Sequence, residues 1–480
     1  MTDPAPDDHD PKPASPDEAA PARVHLPIVT GVRGSILQNG GRKHLVPADV
    51  HGRFATLRKV AFALLIGLWI ALPWITVRGA PAVFLDVEAR KFFLFGATFN
   101  AQDAWMVFFL VSGLGFGLVY ATALLGRAWC GWACPQTVFL EGVYRPLERL
   151  FEGPRDKHLR RDAGPMTAEK AARKAGKHAA FVVASLLVAH LVLAYFVSLP
   201  RAFAMVRGAP TAHLEAFLWV LGVTTLFYVN FGLFREQFCV VMCPYGRLQS
   251  VLLDDDSLVV GYDVGRGEPR GKPGKTTGDC VDCKRCVAVC PTGIDIRDGL
   301  QLDCVACTAC IDACDEVMDK LDRPRGLIRY DSTNGLAGRA RRIVRPRVLA
   351  YSGLLVLGAI VAFLTTRGRI GFEAAVLRPA GLPYVIEDGT IRNTLDVHLV
   401  NKRSEAQTYA ITVTPPAGVS AIVPIPRPEV AGLGDAHLPL VLTMPTASYQ
   451  GDGKAHVTIV SEGNASDTKT ITVPFLGAKK

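Results

Sequence analysis

Residues 367–480 contain no cysteine, although the chain as a whole has 12. Disulfides therefore cannot staple that stretch, and cysteine is reserved for metal and redox chemistry elsewhere. Residues 1–22, rich in Pro, Ala and Asp, contain no apolar run. They read as a disordered tail and exclude a secretory signal peptide at that point. No glycine fingerprint for a flavin or nicotinamide nucleotide is present. Gly113, Gly115 and Gly117 follow no strand and instead allow close helix approach. Charge is missing altogether from five long stretches: Val60–Val77, Ala104–Gly126, Ala179–Pro200, Ala216–Phe234 and Val348–Thr366. About 20 apolar residues cross a bilayer as a helix, so each qualifies as a membrane span. His190 is the single histidine within them. A bis-histidine haem thus lacks its second ligand, and a hydrogen-bonded packing role is the better reading of that ring.

Basic residues orient the spans. Segments 23–59, 127–178 and 235–347 carry 7, 11 and 18 Lys and Arg residues, whereas 78–103 and 201–215 carry 3 and 2. The alternation places the amino terminus, the second loop and the large insert in the cytoplasm of a bacterial inner membrane, and residues 367–480 in the periplasm. The net charge of +9 is mostly this topology signal, not a sign of nucleic acid binding.

What is abundant is cysteine at fixed spacing. Cys280-Val-Asp-Cys283-Lys-Arg-Cys286-Val-Ala-Val-Cys290-Pro is followed by Cys304-Val-Ala-Cys307-Thr-Ala-Cys310-Ile-Asp-Ala-Cys314-Asp. Both runs have the C-x2-C-x2-C-x3-C spacing of [4Fe–4S] binding, in which three thiolates hold one cluster and the fourth serves another. Zinc needs four ligands and has no use for the third cysteine in each run. The pair resembles a two-cluster bacterial ferredoxin. That resemblance implies one cluster on Cys280, Cys283, Cys286 and Cys314, and a second on Cys304, Cys307, Cys310 and Cys290. Asp315 stands where the ferredoxin pattern has proline, which changes local geometry and not ligation.

The other four cysteines form a second repeat. The second span ends in Cys130-Gly-Trp-Ala-Cys134-Pro and the fourth in Cys239-Val-Val-Met-Cys243-Pro. Cysteines at i and i+4 share one face of a helix, so each pair presents two sulfurs to one centre. Facing pairs would bring four thiolates together beside the membrane. Such soft ligands suit copper(I), with zinc or an iron–sulfur cluster as the other candidates. Val138 to Phe151 mixes Phe139, Val143, Leu147 and Leu150 with Arg145, Glu148 and Arg149, a pattern for a helix lying on the membrane surface. Residues 395–400, 408–413, 456–460 and 470–473 have strand composition between Pro and Gly turns, which fits an immunoglobulin-like sandwich. His398, His437 and His456 read as scattered surface histidines with metal binding as the weaker alternative.

These pieces predict a multi-domain membrane protein with a five-helix α bundle, a ferredoxin-like α+β insert and an all-β immunoglobulin-like sandwich. The boundaries are a tail at 1–22, a cytoplasmic lead-in at 23–59, spans one to four at 60–247, the dicluster domain at 248–347, the fifth span at 348–366 and the sandwich at 367–480. Cys-Gly-Trp-Ala-Cys-Pro, Cys-Val-Val-Met-Cys-Pro, Cys-Thr-Ala-Cys-Ile-Asp-Ala-Cys-Asp-Glu-Val-Met-Asp-Lys and Arg-Gly-Leu-Ile-Arg-Tyr-Asp-Ser together closely resemble the cytochrome c oxidase accessory proteins called CcoG, FixG or RdxA. The resemblance implies assistance in building a cbb-type oxidase by reducing copper(II) to copper(I). Copper would then be handled at Cys130, Cys134, Cys239 and Cys243. The partners implied are membrane lipid, copper ion, oxidase assembly factors or a copper transporter, and an unidentified electron donor, with a homodimer left open. The alternatives are a quinol-oxidising conduit to a periplasmic reductase and a membrane redox sensor.

Overall fold

The computed structural model describes residues 44–77, 80–88, 91–100, 104–272, 277–367, 370–403, 405–451 and 453–477. The expected tail at 1–22 lies outside the described residues. Five helices are long and apolar enough to cross a membrane: Arg53–Ala71, Trp105–Leu125, Ala168–Val197, Pro210–Phe234 and Pro346–Arg367. Their ends differ from the charge-free stretches for physical reasons. The first begins at Arg53, seven residues before the expected start, because helix formation tolerates the Arg58 and Lys59 that a hydropathy window rejects. It stops at Ala71, ahead of Pro73, and Thr76–Val77 is already a strand. The third extends through Lys170, Arg173, Lys174 and Lys177 before it turns apolar.

The chain divides into two compact units. One comprises the described residues up to Leu64 together with Val119–Ala180 and Asn230–Val348; the other comprises Leu65–Leu118, Phe181–Val229 and Leu349–Lys480.

In the first unit, strands Leu258–Tyr262 and Ile328–Ser332 pair antiparallel. Short helix Arg285–Ala288 and longer helix Ala309–Lys320 carry the cysteines of the two cluster motifs. Val260, Tyr262, Ile294, Ile296, Ile311, Met318 and Ile328 form the core between them. Asp312 projects from the longer helix to the start of the first span. Its carboxylate accepts from the backbone N–H groups of Phe54 (3.2 Å) and Ala55 (2.6 Å), supplying partners that the first turn of a helix lacks.

Also in this unit, the expected surface helix is Pro135–Phe139, a wider π-type turn Leu140–Tyr144, and Arg145–Glu152. Most of its charges do not face water, Arg149 being the exception. Arg145, Glu148 and Glu152 are buried, while Leu150 is 74% exposed. The Arg235 guanidinium donates to both Glu148 oxygens at 2.9 and 2.7 Å. Glu152 pairs with Lys177 at 3.2 Å and with Arg161 at 3.3 Å. Glu148 and Glu152 are thus drawn inward because charges from residues 161, 177 and 235 arrive to neutralise them, while Arg145 pairs with Glu141 at 2.7 Å.

In the second unit the carboxy-terminal domain is the expected sandwich. One sheet orders strands Ser420–Ile422, Asp435–Pro445, Thr390–Asn401 and Phe372–Leu377, with Val385–Glu387 on the third of these; the other orders Glu429–Val430, Gln407–Thr414, Gly453–Ser461 and Asn464–Phe475. Alternating residues such as Leu395, Val397, Leu399, Tyr409, Leu440, Leu442, Val457 and Ile459 fill the core. His190 uses Nδ1 against its own helix, 2.8 Å from the Leu186 carbonyl oxygen, in keeping with a satisfied packing role.

Candidate functional site

The two cluster motifs fold as near copies. In the first, Asp282 and Lys284 adopt positive φ of 51° and 54°; in the second, Ala306 and Thr308 adopt 51° and 61°. Left-handed residues on either side of the middle cysteine coil the backbone into a concave nest of N–H groups, the arrangement that accommodates anionic iron–sulfur cores. The thiols lie in two adjoining neighbourhoods. Cys314 lies within electrostatic reach of Cys286, Cys280 and Cys283. Cys310 lies within reach of Cys307, Cys304 and Cys290, with Cys286 behind them, and all five line one pocket with Thr292, Ile294 and Val305. Burial pushes the Cys286, Cys304 and Cys314 thiols up to about 12. An apolar shell that disfavours free thiolates suits groups that ionise only on binding a metal centre. The donor set and the nests both fit two [4Fe–4S] clusters.

The four juxtamembrane cysteines come together, but not as pairs on one helical face. The helix carrying Cys130 ends at Trp132, and Cys134 takes an extended conformation (φ −61°, ψ 126°) as the residue before helix Pro135–Phe139. Cys243 does the same (φ −69°, ψ 110°) before helix Pro244–Leu252. In both copies the second cysteine closes a wide turn to the carbonyl five residues back, Cys134 to Trp129 and Cys243 to Phe238, each at 2.8 Å. Proline is the cause: it disfavours α conformation in the residue before it and needs no hydrogen-bond partner at the first helical position. Each motif therefore places one sulfur at the start of a new helix. At Cys134 burial raises the thiol pKa, while the N–H groups of Gln136 and Thr137 favour the thiolate.

The four thiols sense one another. Cys239 is pushed up to about 12, first by burial and then by the charges that Cys134, Cys130 and Cys243 would carry. Burial also raises Cys130, opposed by the Arg127 guanidinium and the Gln249 side chain. Gln249, fully buried, has Nε2 3.2 Å from Cys130 Sγ.

This site abuts the second cluster motif. Arg127 donates through Nε to Gln249 Oε1, through Nη1 to the carbonyl oxygens of Leu302 and Cys304 (2.9 Å to the latter), and through Nη2 to Gly246 O at 2.6 Å. Gly131 lies so close to the Cys304–Cys307 loop that a Cβ there would meet the carbonyl oxygens of Ala306 and Val305 at 2.6 Å. Arg58 donates to the Gly131 carbonyl oxygen at 3.1 Å, and its charge opposes the burial that pushes the Cys307 thiol up to about 11. Arg127, Gln249 and Arg58 were not singled out from sequence. The signal available for Arg127 was its position three residues ahead of Cys130, at the foot of a span.

Known proteins agree with this layout. A family profile described as a 4Fe-4S dicluster domain matches residues 234–333. A profile described as a 4Fe-4S binding domain matches 105–154 and 213–254, the segments bearing both juxtamembrane motifs. A third, described as the IG-like fold at the C-terminal of FixG, matches 360–478. Nitrogen fixation protein FixG of Rhizobium meliloti is 36% identical over 434 residues, covering 80% of this chain and 81% of the relative. Protein RdxA of Cereibacter sphaeroides is 35% identical over 418 residues, covering 83% and 87%. Protein RdxB of the same organism is 36% identical over 402 residues, covering 79% and 83%. With spans, cluster nests and sandwich all accounted for, the chain belongs to the FixG/RdxA family of membrane iron–sulfur proteins.

Proposed function

We propose that this protein reduces copper(II) to copper(I) at Cys130, Cys134, Cys239 and Cys243, for assembly of a cbb-type cytochrome c oxidase. The observation that carries the reading is the direct abutment of this four-thiol site on the Cys304–Cys307 loop through Arg127, Gln249 and Gly131. Cys280, Cys283, Cys286 and Cys314 would hold one [4Fe–4S] cluster and Cys304, Cys307, Cys310 and Cys290 the other, and such clusters would supply single electrons. Copper is the substrate, and each copper(II) ion takes up one electron. Thiolates prefer copper(I) to copper(II), so the four sulfurs stabilise the product. Arg127 and the helix start at Cys134 offset part of the negative charge that four thiolates would gather. Gln249 holds Cys130 by its side-chain amide and keeps the sulfur aimed without adding charge.

In this reading the dicluster domain is cytoplasmic and the sandwich periplasmic, in a bacterial inner membrane, as the basic loops favour. The protein then works beside copper transport and the assembling oxidase. The test is anaerobic: reduced, cluster-loaded protein is mixed with copper(II), and copper(I) is read with a chromophoric chelator. Wild-type protein should yield copper(I) in proportion to the electrons stored. Serine at the four juxtamembrane positions should abolish the yield while the visible cluster absorbance stays. An unchanged yield would remove this site from the reaction.

A further inference from the structure

Two histidines far apart in sequence become neighbours on the sandwich. The register of strands Thr390–Asn401 and Asp435–Pro445 sets His398 opposite His437. Their rings stack with centroids 4.3 Å apart and planes 7° from parallel. Asp435, two residues before His437 and on the same face, brings Oδ2 to 3.2 Å from His398 Nε2 and 3.9 Å from His437 Nε2. One donor atom from each of the three residues falls within 4.8 Å of the others. On the far side of the His437 ring, Nδ1 lies 2.6 Å from Asp396 Oδ2. A carboxylate at Nδ1 fixes the proton there and turns the Nε2 lone pair outward, the support that metal-ligating histidines ordinarily have.

From this geometry we infer that His398, His437 and Asp435 form a binding site for a divalent transition metal, copper(II) before zinc, on the face of the sandwich. Bonds of about 2.0–2.2 Å in a four-coordinate site would hold ligand atoms roughly 3.4 Å apart. The two Asp435 separations bracket that value, and all three donor atoms lie within 4.8 Å of one another. Two imidazoles and one carboxylate suit borderline ions, and among divalent first-row metals copper(II) binds such a set most tightly. The His437 and Asp435 side chains are 58% and 59% exposed, which leaves the remaining position to water and lets the ion enter and leave. His456 takes no part; its Nδ1 is 3.1 Å from Thr472 Oγ1 on the other sheet. The site is independent of whether the thiols reduce copper.

The test uses the full chain in detergent, anaerobic and with its clusters oxidised, titrated with copper(II) and read by electron paramagnetic resonance. Nitrogen hyperfine structure separates imidazole from sulfur ligation. In the variant with serine at Cys130, Cys134, Cys239 and Cys243, where the thiols cannot take the ion, one equivalent of copper(II) should show coupling to two imidazole nitrogens. Neither histidine belongs to the buried core, so H398Q/H437Q should keep the wild-type melting temperature and lose this signal. D396N should keep both ligands and weaken binding about tenfold or more. A chain with no imidazole-coupled copper(II), or a signal identical in H398Q/H437Q, would overturn the site and leave the rings as an ion pair with Asp396 and Asp435.

Discussion

Substituting Gly131 by alanine perturbs the junction between the thiol site and the second cluster motif at a single atom. The new Cβ would sit 2.6 Å from two carbonyl oxygens, those of Val305 and Ala306. Both belong to backbone held between cluster ligands, so no flexible side chain can yield. To reach an ordinary contact of 3.4 Å the loop must recede by about 0.8 Å. Overpacking of this kind costs about 1–3 kcal/mol. It also stretches the Arg127 hydrogen bond to Cys304 O, now 2.9 Å. G131A should therefore lose stability of that order in a denaturant titration followed by cluster absorbance, and reduce copper(II) more slowly at unchanged cluster content. G113A supplies the control, since a Cβ at that position meets nothing within 4 Å. A G131A protein matching both wild type and G113A in stability and rate would mean that this close approach does not couple the two sites.

The remaining predictions concern what holds the scaffold. R235M removes the cation that meets both Glu148 oxygens in a buried setting, which should cost about 3–5 kcal/mol in unfolding measurements. Burial works against the Glu148 charge, but Arg235, His44 and Lys177 outweigh it and hold that carboxyl near 2 instead of 4.5. Its stabilising contribution should then be complete above about pH 4.5 and drain away as pH falls toward 2. E148Q should flatten that limb of the stability profile, and an unchanged slope would contradict the pairing. D312N replaces the carboxylate that accepts from Phe54 and Ala55 with an amide that can meet only one of those N–H groups as an acceptor. It should cost about 1–2 kcal/mol by thermal unfolding, and the loss should be absent if the start of the first span is held by other means.

The fold was largely legible because its signals are local. Uncharged length identified all five spans, and fixed cysteine spacing singled out both cluster motifs. Strand composition found Thr390–Asn401 and its neighbours but missed Asp435–Pro445, whose Pro439 argues against a strand interior. There the proline lies opposite Asp396 in a strand that pairs on both sides. The site was legible only in its sulfurs. Arg127 reaches across to residues 246, 249, 302 and 304, Asp312 reaches back to 54 and 55, and no periodicity predicts such contacts. The expectation of paired cysteines on one helical face gave way at Pro135 and Pro244, a local rule outweighed by the residue after it. His398 and His437 looked scattered because strand register, not spacing, brings them together.

Iron and copper counted per chain, in anaerobically purified wild-type protein and in the variant with serine at Cys130, Cys134, Cys239 and Cys243, distinguish a copper site at these thiols from a third cluster. Both proteins should hold about eight iron atoms, two clusters of four, and wild type alone should hold copper at the thiol site. About twelve iron atoms in wild type falling to about eight in the variant would make the juxtamembrane thiols a third cluster site and contradict their role as the place where copper is reduced.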